Sequence, residues 1–179
     1  MPETDILKKF GMYYSPQQVE VLVRALNYAT KMHEGQKRES GEPYITHPIA
    51  VANILIDLGL DYSAVSAALL HDCVEDTTAT DEDIKRNFGT EIAELVLGVT
   101  KLKKLSFKSK EEEQAENFRR MFFAIAKDIR VLIIKIADRL HNMRTISSLS
   151  AERQTAMATE TLEIFAPLAS RLGLSYFKC

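Results

Sequence analysis

The sequence predicts an all-α fold, specifically a single helical bundle, and three observations predict it. Apolar residues recur at helical spacing of three and four along the chain. No segment alternates apolar and polar as a half-buried strand does. No Asn-Gly or Asp-Gly pair marks a hairpin turn. A chain of 179 residues suits one domain, 1–179, and can bury about 70% of its unfolded surface.

The elements follow in order. Ser15-Pro16-Gln17-Gln18 opens the first long helix with a capping residue, a first-turn proline and the Gln of a capping box. That helix should run to about Glu34, where Gly35 stops it, and the polar stretch 35–46 forms a loop. A second helix is expected from Pro48 to Gly59. Asp61 should cap a third through DYSAVSAALLHDCVED, and Thr80 a fourth that Gly89 terminates. Another should run from about Glu91 to Leu102. The basic stretch KLKKLSFKSK, with five Lys, leads into EEEQAENFRRMFFAIAK, whose acidic first turn suits a helix start. Asp128 should cap IRVLIIKIADRLHNMRTISSL, apolar all round in its first half and so central. A last helix begins near Ser150, and Pro167 should kink or break it.

Composition narrows the function. At 46% hydrophobic and 27% charged, the chain reads as a soluble globular protein. Its longest aliphatic run, Val131-Leu132-Ile133-Ile134, is far too short to cross a bilayer. The N-terminus lacks an export pattern, and the two cysteines, Cys73 and Cys179, cannot build a disulfide framework. A reducing, cytoplasmic setting is expected, with no membrane partner. A net charge of −2 and a lysine run without interleaved aromatics argue against direct nucleic-acid binding. The lysine run itself reads as a solvated loop.

Chemistry is signalled by polar residues where core residues belong. The helix from Asp61 carries an apolar stripe through Val65 and Leu69, and the same stripe continues to Asp72 and Asp76. His71 and Glu75 flank it, so four ionisable groups share an arc of about 140°. Asp138 likewise continues the stripe of Val131 and Ile134, followed by Asn142 and Thr145. His47, held before Pro48 at a helix start, can aim its ring inward. Taken singly, a His beside a helix start is a cap and an Asp at a helix end is solvated. Together, two imidazoles and two carboxylates on apolar-faced helices call for a cation, because burying uncompensated carboxylates costs several kcal/mol each. The donors suit Mn²⁺, Fe²⁺, Zn²⁺ or Mg²⁺, in decreasing order of expectation. His33 and His141 receive no role, His141 lying off the Asp138 stripe.

The tandem His71-Asp72, with His47 upstream and Asp138 downstream, resembles the HD superfamily of metal-dependent phosphohydrolases. More narrowly, HEGQKRESGEPYITHPIAVA, LLHDCVEDT, GVTKLKKL and KIADRLHNMRT resemble the hydrolase domain of the RelA/SpoT stringent-response enzymes over about residues 15–175. The resemblance implies removal of the 3′-pyrophosphate of (p)ppGpp, giving GDP or GTP and pyrophosphate. It implies Mn²⁺ held by His47, His71, Asp72 and Asp138, with Glu75 and Asp76 activating the water. It also implies that Arg38 packs on the guanine, that Ser40 and Tyr44 assist from the same loop, and that Asn142 and Thr145 contact the nucleoside. Both the His-Asp and Glu-Asp pairs are intact, as an active hydrolase requires. Glu39 departs from the pattern, standing where relatives often carry Lys. No synthetase segment is recognisable, so the chain reads as a fragment of a longer multidomain enzyme, with ribosome contact only through domains absent here. The competing readings are an HD-type hydrolase acting on other 3′-phosphorylated nucleotides, and a non-catalytic alarmone-binding module.

Overall fold

Side-chain caps set the helix boundaries, largely where the sequence places them. The computed structural model describes residues 2–103, 127–171 and 173. Its helices are α1 (Pro2–Tyr13), α2 (Pro16–Met32), α3 (Thr46–Asp57), α4 (Tyr62–Leu70), the single turn α5 (Cys73–Asp76), α6 (Asp81–Phe88) and α7 (Thr90–Lys103). After these come α8 (Ile129–Arg144), a 3₁₀ turn (Ile146–Ser148), α9 (Ala151–Glu160), a π turn (Thr161–Phe165) and α10 (Ala166–Arg171). Among the described residues there is no strand, only an isolated bridge between Lys37 and Pro43. Ser15 and Gln18 form the expected capping box at α2, and Thr80 with Asp83 forms a second at α6. Asp61, Asp128 and Ser150 accept backbone N–H groups at the heads of α4, α8 and α9. Residues 104–126, which hold most of the lysine run and the acidic-headed helix, lie outside the described residues.

The structure corrects the sequence reading in several places. A helix precedes the one expected to be first: α1 buries Ile6 and Phe10 completely, and Lys9 reaches Asp57 at the end of α3 over 2.6 Å. Only those two apolar residues mark its inward face, too few to signal a helix by periodicity. The helix expected from Asp61 to Asp76 is broken at His71-Asp72, leaving α4 and α5 as separate pieces. α8 stops at Arg144, where the backbone N–H of Thr145 closes on the carbonyls of His141 and Asn142. Pro167 does perturb the last helix. It cannot donate the bond that a regular helix needs, and the wide π turn stands immediately before it.

α4, rather than α8, is the central helix. All of Ser63–Leu70 is buried, and α4 packs against α2, α3, α7 and α8. Five of those eight residues are Ala or Ser, small enough for neighbours to approach on every side. α8 is apolar on two faces because it separates two clusters. Val131, Ile134 and Ala137 join the main core, while Leu132 and Ile136 pack with Phe165, Leu168 and Ala169. Ile129, in the half of the helix expected to be apolar all round, is exposed. The N-terminus of α8 is tied down by Arg130, which reaches Asp61 at 2.7 Å, Glu91 at 2.8 Å and Asp128 at 2.7 Å.

α7 and α8 touch at Gly98, where an added Cβ would stand 2.7 Å from Cγ2 of Val131. Gly98→Ala should therefore destabilise, although alanine is the better helix former by about 1 kcal/mol. Overpacking against a stiff β-branched side chain costs about 1–3 kcal/mol. Urea denaturation should show that loss, and Val131→Ala added to Gly98→Ala should recover part of it. A Gly98→Ala protein as stable as the parent would show that the α7–α8 contact is loose.

Candidate metal centre and active site

The end of α4 delivers the first two side chains. His71 and Asp72 follow the last helical residue, where backbone carbonyls run out of intrahelical donors. His71 uses one of them: its Nδ1 lies 2.7 Å from the carbonyl oxygen of Ala68, so Nδ1 carries the proton and donates. Nε2 is then a bare lone pair. It is fully buried without a hydrogen-bond donor, and stands 3.3 Å from Oδ1 of Asp72. Two acceptors face each other across that gap.

His47 reaches the same point from the first turn of α3, where Pro48 is tolerated because first-turn N–H groups have no helical partner. Its tautomer follows from its neighbours. Arg38 Nη1 lies 3.1 Å from Nδ1 of His141, and a guanidinium only donates, so that nitrogen accepts. His47 Nδ1 lies 2.8 Å from the same nitrogen and must donate to it. Nε2 of His47 therefore presents a second bare lone pair, 3.2 Å from Asp138 Oδ1 and 3.5 Å from Asp72 Oδ2. Burial holds the His47 pKa below its ordinary value even with Asp138 and Asp72 close by, which favours the neutral ring. Burial also leads the depression of His141 to about 4, with the Arg38 charge adding to it.

Asp138 comes from α8 and is 6% exposed. Burial opposes its charge, but the Lys135 ammonium leads the groups that outweigh it and hold the carboxyl well below its usual range. Lys135 Nζ donates to Oδ2 at 2.7 Å and Asn142 Nδ2 to Oδ1 at 2.7 Å. Asn142 in turn accepts from Arg38 Nη2 at 2.9 Å through its own oxygen. One ligand atom each from His47, His71 and Asp138 lies within 4.8 Å of the others, and all three side chains are buried. Asp72, also buried, borders both imidazoles. Two bare imidazole nitrogens and two carboxylates pointed at one another fit a divalent metal ion, the species that relieves this repulsion.

The loop between α2 and α3 covers this centre. Tyr44 N–H donates to Gln36 O at 3.0 Å and Arg38 N–H to Glu42 O at 2.9 Å, closing a hairpin that Gly41 turns with a φ of 86°. The Tyr44 hydroxyl sits 2.9 Å from Asp72 Oδ2 and 3.0 Å from Asp76 Oδ2. Burial, then those two carboxylates, raise its pKa far above the ordinary phenol value. Tyr44 stacks on His33 with centroids 4.6 Å apart, and His33 is held by Gln36 at 2.7 Å. His33 thus supports the site from behind. Cys73 is buried with its Sγ 3.7 Å from His33 Nε2, and its thiol is pushed up to about 12 by burial and then by Asp72 and Asp76.

A cavity of about 380 Å³ opens in front of the centre, and Arg38, Tyr44, His47, Asp72, Asp138 and Asn142 line it. Lys135, Arg139 and Arg153 also line it, paired with Asp138, Glu160 and Glu39 respectively, and Glu160 lines it too. Asp76 joins through Tyr44. Glu75 is half-buried on the same turn as Asp76, and neither lines the cavity. Ser40 is exposed at the loop tip, and Thr145 spends its hydroxyl on the His141 carbonyl at 3.1 Å, closing α8. Glu39, the departure from the pattern, pairs with Arg153 across the cavity mouth. Sequence reasoning missed His141, Lys135 and Arg139. The stripe argument followed only positions continuing Asp138, whereas His141 reaches the site from the adjacent face at i+3.

Comparison with known proteins accords with this geometry. A family model described as an HD domain matches residues 25–175. The bifunctional (p)ppGpp synthase/hydrolase SpoT of Escherichia coli K12 is 55% identical over 166 residues, covering 93% of this chain and 24% of that protein. A probable guanosine-3′,5′-bis(diphosphate) 3′-pyrophosphohydrolase of Synechocystis is 58% identical over 158 residues, 88% of this chain and 21% of that protein. This chain therefore spans about a quarter of the length of these relatives. A solved metazoan ortholog of SpoT, which hydrolyzes ppGpp, superposes with a TM-score of 0.63 at 33% identity, covering 80% of this chain and 84% of that one. With the family model spanning most of its residues and a solved relative of similar extent, the chain belongs to the HD domain family, in its SpoT/RelA-type branch.

Proposed function

We propose that this chain hydrolyses the 3′-pyrophosphate of (p)ppGpp, giving GDP or GTP and pyrophosphate, with Mn²⁺ held by His47, His71, Asp72 and Asp138. The observation that carries the reading is the buried Nε2 of His71, a lone pair without a donor aimed at a carboxylate that lines the cavity. Relatives over half identical to this chain are named for that reaction.

Formation of GDP and pyrophosphate requires a water oxygen to bond to the 3′-phosphorus while the bond from that phosphorus to the 3′-oxygen breaks. A bound Mn²⁺ would supply Lewis acidity, lowering the pKa of water and polarising a phosphoryl oxygen. The chain's residues do the rest. Glu75 and Asp76 accept the proton of the attacking water, and the Tyr44 hydroxyl fixes the Asp76 carboxylate at 3.0 Å. The departing 3′-oxygen takes a proton in turn. Arg38 stacks on the guanine, as a planar guanidinium can, with Ser40 and Asn142 beside it and Thr145 setting the end of α8. Lys135, Arg139 and Arg153 on the cavity wall supply cations for a polyphosphate. Arg153 reaches it on exchanging Glu39 for phosphate, an exchange that an exposed ion pair permits at little cost.

Purified chain incubated with ppGpp and Mn²⁺ should release equimolar GDP and pyrophosphate, quantified by ion exchange, and chelator should abolish the release. Nucleotide binding without turnover would instead make it a binding module, and equal rates on other 3′-phosphorylated nucleotides would broaden the substrate class. Asp76→Ala should retain metal while kcat falls by about 10²- to 10⁴-fold; an unchanged kcat removes Asp76 from the chemistry. His71→Ala should lose its metal by elemental analysis, and full occupancy there contradicts the ligand set.

A further inference from the structure

His141 stands outside the ligand set, yet like Asn142 it touches both the metal centre and the arginine assigned to the nucleotide. Its Nδ1 lies 2.8 Å from His47 Nδ1 and 3.1 Å from Arg38 Nη1. An imidazole nitrogen has a single in-plane lone pair, so the two N–H groups share one acceptor. Arg38 is further anchored to Asn142, which holds Asp138. The result is a closed circuit: Arg38 to His141 to His47 on one side, and Arg38 to Asn142 to Asp138 on the other.

We infer that His141 is a positioning residue that fixes His47 for metal and couples metal binding to the occupancy of Arg38. Resting on the metal-centre reading above, the inference adds the regulation of that site. The hydrogen bond on the far nitrogen of a ligating histidine sets its tautomer and raises its basicity. While Arg38 shares the lone pair, that bond is weakened. When the Arg38 guanidinium is drawn onto a ligand, His47 has the lone pair to itself and its Nε2 becomes the better donor to metal. Nucleotide and metal therefore favour one another, reciprocally, as binding linkage demands. His141 is only half-buried, so it is not a core residue whose loss alone unfolds the bundle.

The test uses metal alone, which keeps it separate from turnover. Mn²⁺ affinity of the chelator-stripped chain is measured by titration calorimetry for the parent, His141→Leu and His141→Asn. Melting temperatures in chelator serve as the folding check. Leu removes the acceptor and should weaken Mn²⁺ binding about 10- to 100-fold. Asn places an oxygen acceptor near the position of Nδ1 and should restore most of the loss. A double-mutant cycle reads the coupling: Arg38→Met should tighten Mn²⁺ binding more in the parent than in His141→Leu. The general charge effect of removing the arginine is the same in both backgrounds. Parental affinity in a folded Leu variant, absence of rescue by Asn, or an additive cycle would each overturn the inference. A parent that binds Mn²⁺ but leaves ppGpp intact would sink the hydrolase reading and leave this one standing. A parent that binds no metal would sink both.

Discussion

Two carboxylates and two imidazoles buried against one another are the constraint on which the rest of the molecule depends. Asp72 and Asp138 are nearly excluded from water, and the imidazole nitrogens facing them carry no proton. Left uncompensated, such a group would open the bundle, since desolvating carboxylates costs several kcal/mol each. Partial compensation is built in: Lys135 and Asn142 each donate to Asp138, and the Tyr44 hydroxyl lies against Asp72. The close approach of His71 Nε2 to Asp72 Oδ1, 3.3 Å, is where a bound cation would add most. On the metal reading proposed above, metal affinity and fold stability would be linked, and α3, the end of α4, and α8 must meet at one point to form the cluster.

The packing supplies that meeting point. α4 is buried on every side, and its Ala- and Ser-rich surface lets α3 and α8 come close to its C-terminal end. α8 sits between two apolar clusters and so cannot rotate without exposing one of them. That fixes the azimuth of Asp138. Arg130 and its three carboxylates anchor the other end of the same helix. The individual pairs are partly exposed and weak, but they converge on one guanidinium that serves α4, α7 and α8 together. The loop carrying Arg38 and Tyr44 needs little core, because its hairpin bonds and the stack on His33 hold it.

Much of this was legible in the residues. Ser15, Asp61, Thr80, Asp128 and Ser150 marked helix starts because capping is a local interaction, complete within three residues. Asp72 and Asp138 stood out because they continue apolar stripes. Features depending on residues far apart in sequence were not legible. His141 gains meaning only from Arg38 and His47, about a hundred positions away, and no periodicity joins them. Tyr44 read as a substrate contact in its loop, but its hydroxyl is engaged with Asp72 and Asp76, which the loop's own sequence cannot signal. Glu39 read as the loss of a cation. In the fold it is the partner of Arg153, an arginine that no local pattern places at the cavity.

The break between α4 and α5 shows why a uniform helix would serve less well. In a continuous helix the Ala68 carbonyl would accept from the backbone of residue 72, leaving the His71 ring to find another partner. Ending the helix at Leu70 releases that carbonyl, and His71 Nδ1 takes it at 2.7 Å. The bond fixes the tautomer and turns Nε2 toward the other ligands. α5 then restarts immediately, with Asp76 N–H on the Asp72 carbonyl at 2.8 Å, so Glu75 and Asp76 remain within one turn of His71 and Asp72. The unsatisfied carbonyls that end every helix are ordinarily left to water or a cap. Here one of them orients a buried imidazole, and the interruption that costs α4 its last turn is what lets adjacent residues, His71 and Asp72, both face the same point.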